Sequence, residues 1–417
     1  MNLKRVVVTG LGAVTPIGNN VSAYWNALLK GVSGANLITH FDTTPYKTKF
    51  ACELKNFNIF DFIEQKEARK MDPGAHYALV SAMEAIQHSK LDFDAIDLHR
   101  AGVILGSGIG GIHSFAKGHQ DFVKQDCNPR FISPFFILKT LGDIIPGIIS
   151  IKYGLKGPNY TTTSACASAA NAITDAFHYI QLGRADVMLT GGSEACLVDA
   201  AIGGFIAMHA LSTRNDDYMT ASRPFDAGRD GFVMGEGAGI IVLEEYEHAK
   251  KRGATIYAEL LSSGLTADAY HVTSPHPDGD GAFHSMKLAI EDAGLSITDI
   301  DHINTHGTST PLGDIAECKA IENLFGEHAC KMIFNSTKSM TGHLLGAAAA
   351  IETIATVLAL KEGVVPPTIN QFERSPEINP TWNFADNQAV KRNIQTAICN
   401  SFGFGGHNVS LLFKKVE

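Results

Sequence analysis

The same order of local signals runs through this chain twice, and that duplication restricts the folds open to it. Val6-Val-Val-Thr-Gly-Leu-Gly12 is answered by Ala258-Glu-Leu-Leu-Ser-Ser-Gly264, and Ile104-Leu-Gly-Ser-Gly108 by Ile303-Asn-Thr-His-Gly307. The segment from Tyr160 to Cys166, before an alanine-rich run, is answered by Ile333 to His343 before another. Met188-Leu-Thr-Gly-Gly192 matches Ala397 to Gly406, and Gly239-Ile-Ile-Val-Leu243 matches Val409-Ser-Leu-Leu-Phe413. The offsets vary because the first half carries longer insertions. Short β-rich runs alternating with helical runs predict an α/β fold with buried sheets and two pseudo-symmetric halves, residues 1–253 and 254–417.

Within this frame the local reading is as follows. A first strand covers residues 4–9 and is closed by Gly10-Leu11-Gly12. A helix runs from Val21 to Lys30 and stops at Gly31. Residues 62–72 are charged and helical, with Lys66, Arg69 and Lys70 on one face. A helix from Tyr77 to His88 precedes a strand at 102–106. A strand over Asp186–Thr190 ends in the turn Gly191-Gly192-Ser193-Glu194. Gly106-x-Gly108-x-x-Gly111 has dinucleotide-binding spacing, but turns of this kind are common and it is not read as a cofactor site.

With 417 residues, 45% of them hydrophobic, the chain can bury a large core. Its formal net charge of −9 argues against a nucleic-acid binder. The seven cysteines include no CxxC pair, which argues against a disulfide framework or a zinc site and for a reducing compartment. The N-terminus has no signal-peptide pattern. The apolar stretch from Leu344 to Leu360 is interrupted by Glu352 and reads as a buried helix, not a membrane span. The expectation is a cytoplasmic protein without membrane or metal.

Thr161-Thr-Thr-Ser-Ala-Cys-Ala-Ser-Ala-Ala-Asn-Ala172 joins a strand-favouring run to a helix-favouring one and places Cys166 at the junction. Backbone N–H groups at a helix start favour a thiolate, so the stretch predicts a reactive cysteine with a lowered pKa. A lone small cysteine more often fills a buried corner. The second half supplies the counterweight. His306 lies in Asn304-Thr-His-Gly-Thr-Ser-Thr310 and His343 in Lys338-Ser-x-x-Gly-His343, on loops equivalent to that of the cysteine.

These motifs, with Thr163-Ser-Ala-Cys-Ala-Ser168 and Asn400-Ser-Phe-Gly-Phe-Gly-Gly406, resemble the β-ketoacyl-[acyl-carrier-protein] synthases over essentially the whole chain. The Cys/His/His pattern is that of the elongating members, type II in its details. The resemblance implies a thiolase-like fold, two βαβαβαββ halves in a five-layered αβαβα sandwich, working as a homodimer. It implies condensation of an acyl group held on Cys166 with malonyl carrier protein, no cofactor beyond the phosphopantetheine that the substrates carry, and acyl carrier protein as partner.

The resemblance also assigns roles. His306 and His343 would donate hydrogen bonds to the enolate, and the backbone N–H groups of Cys166 and Phe404 would form the oxyanion hole, with Phe404 as gate. Lys338 would pair with Glu317, and Asp314 and Glu317 would organise the histidines. Thr308, Thr310, Thr273 and Ser274 would contact the pantetheine arm. Ile109, Phe205 and Phe402 would line the acyl pocket. Lys66, Arg69 and Lys70, with Arg130, would dock the acidic carrier. His209 stands where type II enzymes commonly have an arginine, and His407 where threonine is usual. Three alternatives have their own signatures. A degradative thiolase needs a second cysteine in the glycine loop, whereas Cys399 precedes it; a chain-starting synthase has Asn in place of His343; a non-condensing partner subunit lacks the cysteine. A condensing enzyme of a specialised polyene or polyketide pathway stays open.

Overall fold

The computed structural model describes residues 3–416. In the first half, strands β1 (Val6–Val14), β2 (Ala101–Gly106), β3 (Asn159–Thr162), β4 (Val187–Glu194) and β5 (Gly237–Glu245) alternate with helices α1 (Pro73–Ser89), α2 (Ile144–Tyr153) and α3 (Ser168–Gln181). The second half repeats this with β6 (Ala258–Ala267), β7 (His302–Asn304), β8 (Ile333–Asn335), β9 (Thr396–Gly403) and β10 (His407–Lys414). Its helices are α4 (Asp280–Asp292), α5 (Pro311–Phe325) and α6 (Ala348–Glu362). The strand order is β8-β7-β9-β10-β6-β1-β5-β4-β2-β3. Read outward from the centre, the two halves match strand for strand, so all five sequence correspondences occupy equivalent places.

The halves touch edge to edge through Val6–Val8 of β1 and Ala258–Leu260 of β6. Elsewhere they lie on opposite sides of a central layer made of α3 and α6, with α1 and α2 covering one outer face and α4 and α5 the other. Every residue of β1, β4 and β5 is buried, which explains the apolar runs Val6–Val8, Val187–Leu189 and Ile240–Leu243 within them. Helix α6 is buried from Ala348 to Leu360, Glu352 included. Among the described residues no helix is long and apolar enough to cross a membrane.

Two local expectations fail because packing overrides the usual meaning of glycine, and two more because helix boundaries differ from the sequence pattern. Gly10 and Gly12 do not end β1. They lie inside it, where α1 comes against the sheet. A Cβ on Gly12 would lie 1.9 Å from the Ser81 carbonyl oxygen, and one on Gly264 would lie 1.9 Å from that of Ser285. Likewise Gly191 to Glu194 continue β4 rather than forming a turn. Helix α1 starts four residues before Tyr77, at Pro73, with the Asp72 carboxylate accepting from Gly74 N at 2.9 Å. Proline suits a first helical position because its missing N–H would have no partner there. The charged stretch 62–72 forms a helix only over Gln65–Ala68.

The matched close approaches carry a prediction. Gly12→Ala and Gly264→Ala each force a helix off its sheet, and each lowers the unfolding free energy by about 2–3 kcal/mol. Urea denaturation measures this; an unchanged midpoint for both variants contradicts the packing described.

Candidate active site

Each half starts its central helix in the same way. Ala165 takes φ +50° as the first residue of the single turn Ala165–Ala167 that leads into α3, and Leu345 takes φ +46° as the first of Leu345–Ala347, which leads into α6. A non-glycine residue in this region is held there by its surroundings. In the first half the turn presents Cys166 at the end of the sheet.

Cys166, His306 and His343 meet at one cavity of about 570 Å³. His343 Nε2 is 3.0 Å from Cys166 Sγ. The ring of His306 stands edge-on to that of His343, with centroids 5.5 Å apart. Both Nδ1 atoms are buried with no hydrogen-bond partner. A lone pair is tolerated without a partner better than an N–H, which puts each proton on Nε2. Burial and the nearby Lys338 ammonium hold both imidazoles well below the usual histidine range, and for His306 the neighbouring His343 adds to the effect. Both are neutral at pH 7.

The thiol departs from the sequence expectation. Burial pushes Cys166 up to about 11, although Lys338 and the N–H groups of Phe404 and Cys166 act the other way. The helix-start argument has the right sign for its own contribution, but desolvation outweighs it. The resting group is a thiol that already has donors placed for its anion.

Lys338 is also corrected. It is fully buried, and its Nζ pairs with Glu352 rather than Glu317. Glu317 accepts instead from His306 N and Gly307 N, both at 2.9 Å, and from Asn400 Nδ2 at 3.1 Å. It therefore fixes the backbone that carries His306. Asp314 accepts from Phe225 N and Ser309 N, at 2.8 and 3.1 Å, behind the loop of Thr308 and Thr310. The hydroxyls of those two threonines are 3.0 Å apart at the cavity wall.

Thr273 and Ser274 line the cavity on a loop whose N–H groups contact His271. Ile109, Phe205, Phe402 and Phe404 line it as well. The Phe404 ring lies 6.5 Å from that of Phe205, and Phe232 packs edge-on against His343. Sequence reasoning missed Phe232 and Glu352. For Glu352 a signal was present: a lone carboxylate in an alanine-rich buried helix needs a cation. His209 also lines the cavity, with φ +54°, whereas His407 is exposed and does not. Lys66, Arg69, Lys70 and Arg130 are exposed and line no part of it. Among the described residues no cluster of acidic, histidine or cysteine side chains could hold a metal.

Residues 3–249 match the model of the β-ketoacyl synthase N-terminal domain, and residues 257–372 that of the C-terminal domain. The chain belongs to the β-ketoacyl synthase family. This synthase is 51% identical over 414 residues to 3-oxoacyl-[acyl-carrier-protein] synthase 2 of Staphylococcus aureus strain COL, covering 99% of each chain. It is similar in structure to a β-ketoacyl synthase from Burkholderia phymatum, with a TM-score of 0.92 and 35% identity over 99% of this chain and 100% of that one. It is also similar to the ketosynthase of a type II polyketide system solved with its acyl-carrier protein, with a TM-score of 0.91 and 34% identity over the full length of both.

A buried thiol in the synthase at about 11 has a measurable signature. Alkylation of Cys166 by iodoacetamide, followed on its own peptide by mass spectrometry, rises about tenfold per pH unit from 7 to 9. A plateau near pH 7 shows instead a thiolate at rest.

Proposed function

We propose that the synthase elongates fatty acyl chains by decarboxylative condensation with malonyl-acyl carrier protein. The supporting observation is the grouping of Cys166 with two neutral imidazoles, one at 3.0 Å and the second one ring further on.

In the first stage Cys166 Sγ adds to the acyl thioester carbon. The N–H groups of Cys166 and Phe404 take the oxyanion, and the pantetheine sulfur leaves with the proton of the thiol. In the second stage malonyl carrier protein loses CO2, and the bonding electron pair becomes an enolate. His306 and His343 donate Nε2–H to its oxygen. These donors face charge that exists only as the reaction proceeds, so they favour the transition state over the bound substrate. The enolate carbon then attacks the acyl group on Cys166; a C–C bond forms, the C–S bond breaks, and the thiolate takes up a proton. The product is a β-ketoacyl carrier protein two carbons longer.

Thr308, Thr310, Thr273 and Ser274 are read as holding the pantetheine arm, and Ile109, Phe205 and Phe402 as receiving the tail. Burial there is worth about 0.8 kcal/mol per methylene. Phe404 is the gate. Asp314, Glu317 and Lys338 hold the machinery in place and do not react. No cofactor is required, because the substrates bring their own phosphopantetheine. Lys66, Arg69, Lys70 and Arg130 dock the acidic carrier; their exposure supports this. The synthase works as a homodimer, a reading supported by the exposed apolar residues Phe115, Phe131, Ile137 and Ile151, the last 84% exposed. The two halves of the duplication divide between Gly253 and Ala254. Seven free cysteines support a cytoplasmic location.

Purified enzyme with malonyl carrier protein and a ladder of acyl carrier proteins, read by product mass, tests the reading; absence of any two-carbon extension overturns it. Cys166→Ala abolishes condensation and leaves malonyl decarboxylation measurable as CO2 release. His343→Ala lowers decarboxylation by about 10²–10³-fold, the effect of losing one oxyanion donor. Charge reversal at Lys66, Arg69 and Lys70 raises KM for the carrier with little change in kcat, and an unchanged KM removes the docking assignment.

A further inference from the structure

The pseudo-twofold assigns a counterpart to each part of the nucleophile turn, and one of these counterparts is a buried carboxylate. Cys166 corresponds to Gly346, since Ala165 and Leu345 share the left-handed conformation and both turns run directly into a central helix. Across from them, Gly403 of β9 corresponds to Glu194 of β4. Gly403 pairs with His407 in β10 as Glu194 pairs with Gly237 in β5. Two positions earlier the match continues: Ser401 Oγ donates to the Cys166 carbonyl at 3.0 Å, and a Cβ on Gly192 would lie 2.8 Å from the Gly346 carbonyl.

The two turns are nevertheless filled differently. At Gly403 there is no side chain beside Cys166 N; a Cβ there would stand 3.2 Å from that nitrogen and 2.7 Å from the Ser164 carbonyl oxygen. At Glu194 the carboxylate occupies the matching space and accepts from Gly346 N at 3.0 Å. Glu194 therefore sits in the second half where an acyl oxygen would sit in the first. The same carboxylate accepts from Gly108 N at 2.6 Å, and from Ile109 N and Ser107 Oγ at 3.3 Å each. Gly108, Ile109 and Leu345 all line the cavity that holds Cys166. One acceptor thus ties the turn after β2 to the turn after His343, and these form two walls of the same cavity.

We propose that Glu194 is a positioning residue that sets the acyl-tail specificity of the synthase, holding the Ile109 turn against the Leu345–Gly346 turn so that a tail can pass Cys166. This rests on reading Cys166 as the acyl-bearing nucleophile. A carboxylate suits the task because every partner it meets there is a donor. An amide of the same shape turns an NH2 toward donors and releases one turn or the other.

The test needs no condensation. The Cys166 peptide is followed by mass spectrometry during alkylation with N-methyl- and N-dodecyl-iodoacetamide. In Glu194→Gln the short probe reacts within about threefold of wild type while the long probe slows at least about tenfold, the effect of losing a hydrogen bond to a charged group. Ser107→Ala removes one donor and keeps the carboxylate; it shifts the same ratio by about threefold and serves where Glu194→Gln fails to fold. An unchanged long-to-short ratio in both variants overturns the proposal, as does equal slowing of both probes. Extension of acyl carrier proteins is assayed in parallel. If wild type extends none while the alkylation ratio moves as stated, the proposed function fails and the role of Glu194 in shaping the cavity stands.

Discussion

The buried Lys338–Glu352 pair acts beside burial, the larger cause, on the protonation states on which the site depends. The lysine lies close enough to Cys166, His306 and His343 to act downward on all three, although burial leaves the thiol raised on balance. For the histidines this adds to burial, so both stay neutral and can donate from Nε2. For the thiol it opposes burial and brings the anion within reach. Such a cation is stable inside the protein only because Glu352 lies beside it in α6. Removing one member of a buried pair leaves an uncompensated charge that costs about 3–5 kcal/mol. The pair links the segment that leads to His343 with the central helix, so the electrostatics and the geometry of the site have the same support.

Burial at the centre of the sandwich explains why the thiol is not simply activated by its helix. An N-terminal dipole is worth about 0.3–1 kcal/mol at an exposed site. Desolvation of a fully buried ionisable group moves its pKa by up to about 3–5 units, which is several times larger. The layer that buries Cys166 is built from small residues. Ala169, Ala170 and Ala172 in α3 and Ala348 to Ala350 in α6 let both sheets come close to the helix starts. The nucleophile is therefore packed tightly at the wall of the cavity, and burial keeps it a thiol at rest.

Much of this was legible in the sequence because both copies carry it. Gly12 and Gly264 meet their helices at the same distance, and both central helices begin in alanine-rich runs. A packing requirement that appears twice is recognisable even when one instance is ambiguous. What misled was local inference. Gly10 and Gly12 look like a turn because glycine tolerates unusual backbone angles, yet here they serve to let α1 approach. The partner of Lys338 that the resemblance implies is also wrong, because matching motifs do not show which carboxylate already has donors. Glu317 receives two backbone N–H groups and an amide, so it needs no cation, whereas Glu352 lies in an apolar helix and does. Whether a group is desolvated depends on contacts between the halves, which no single stretch displays.

The duplication also shows how a symmetric scaffold can carry an asymmetric site. Both halves build a turn that aims a backbone N–H at the end of the sheet. In the first half the neighbouring strand ends in Gly403, which sets no side chain against Cys166 N. In the second, Glu194 supplies an oxygen of its own to Gly346, and that turn becomes a fixed wall. The histidines of the second half then face a cysteine in the first. Glu194, reaching across from β4, turns the Gly346 turn into a support for the one that carries Cys166.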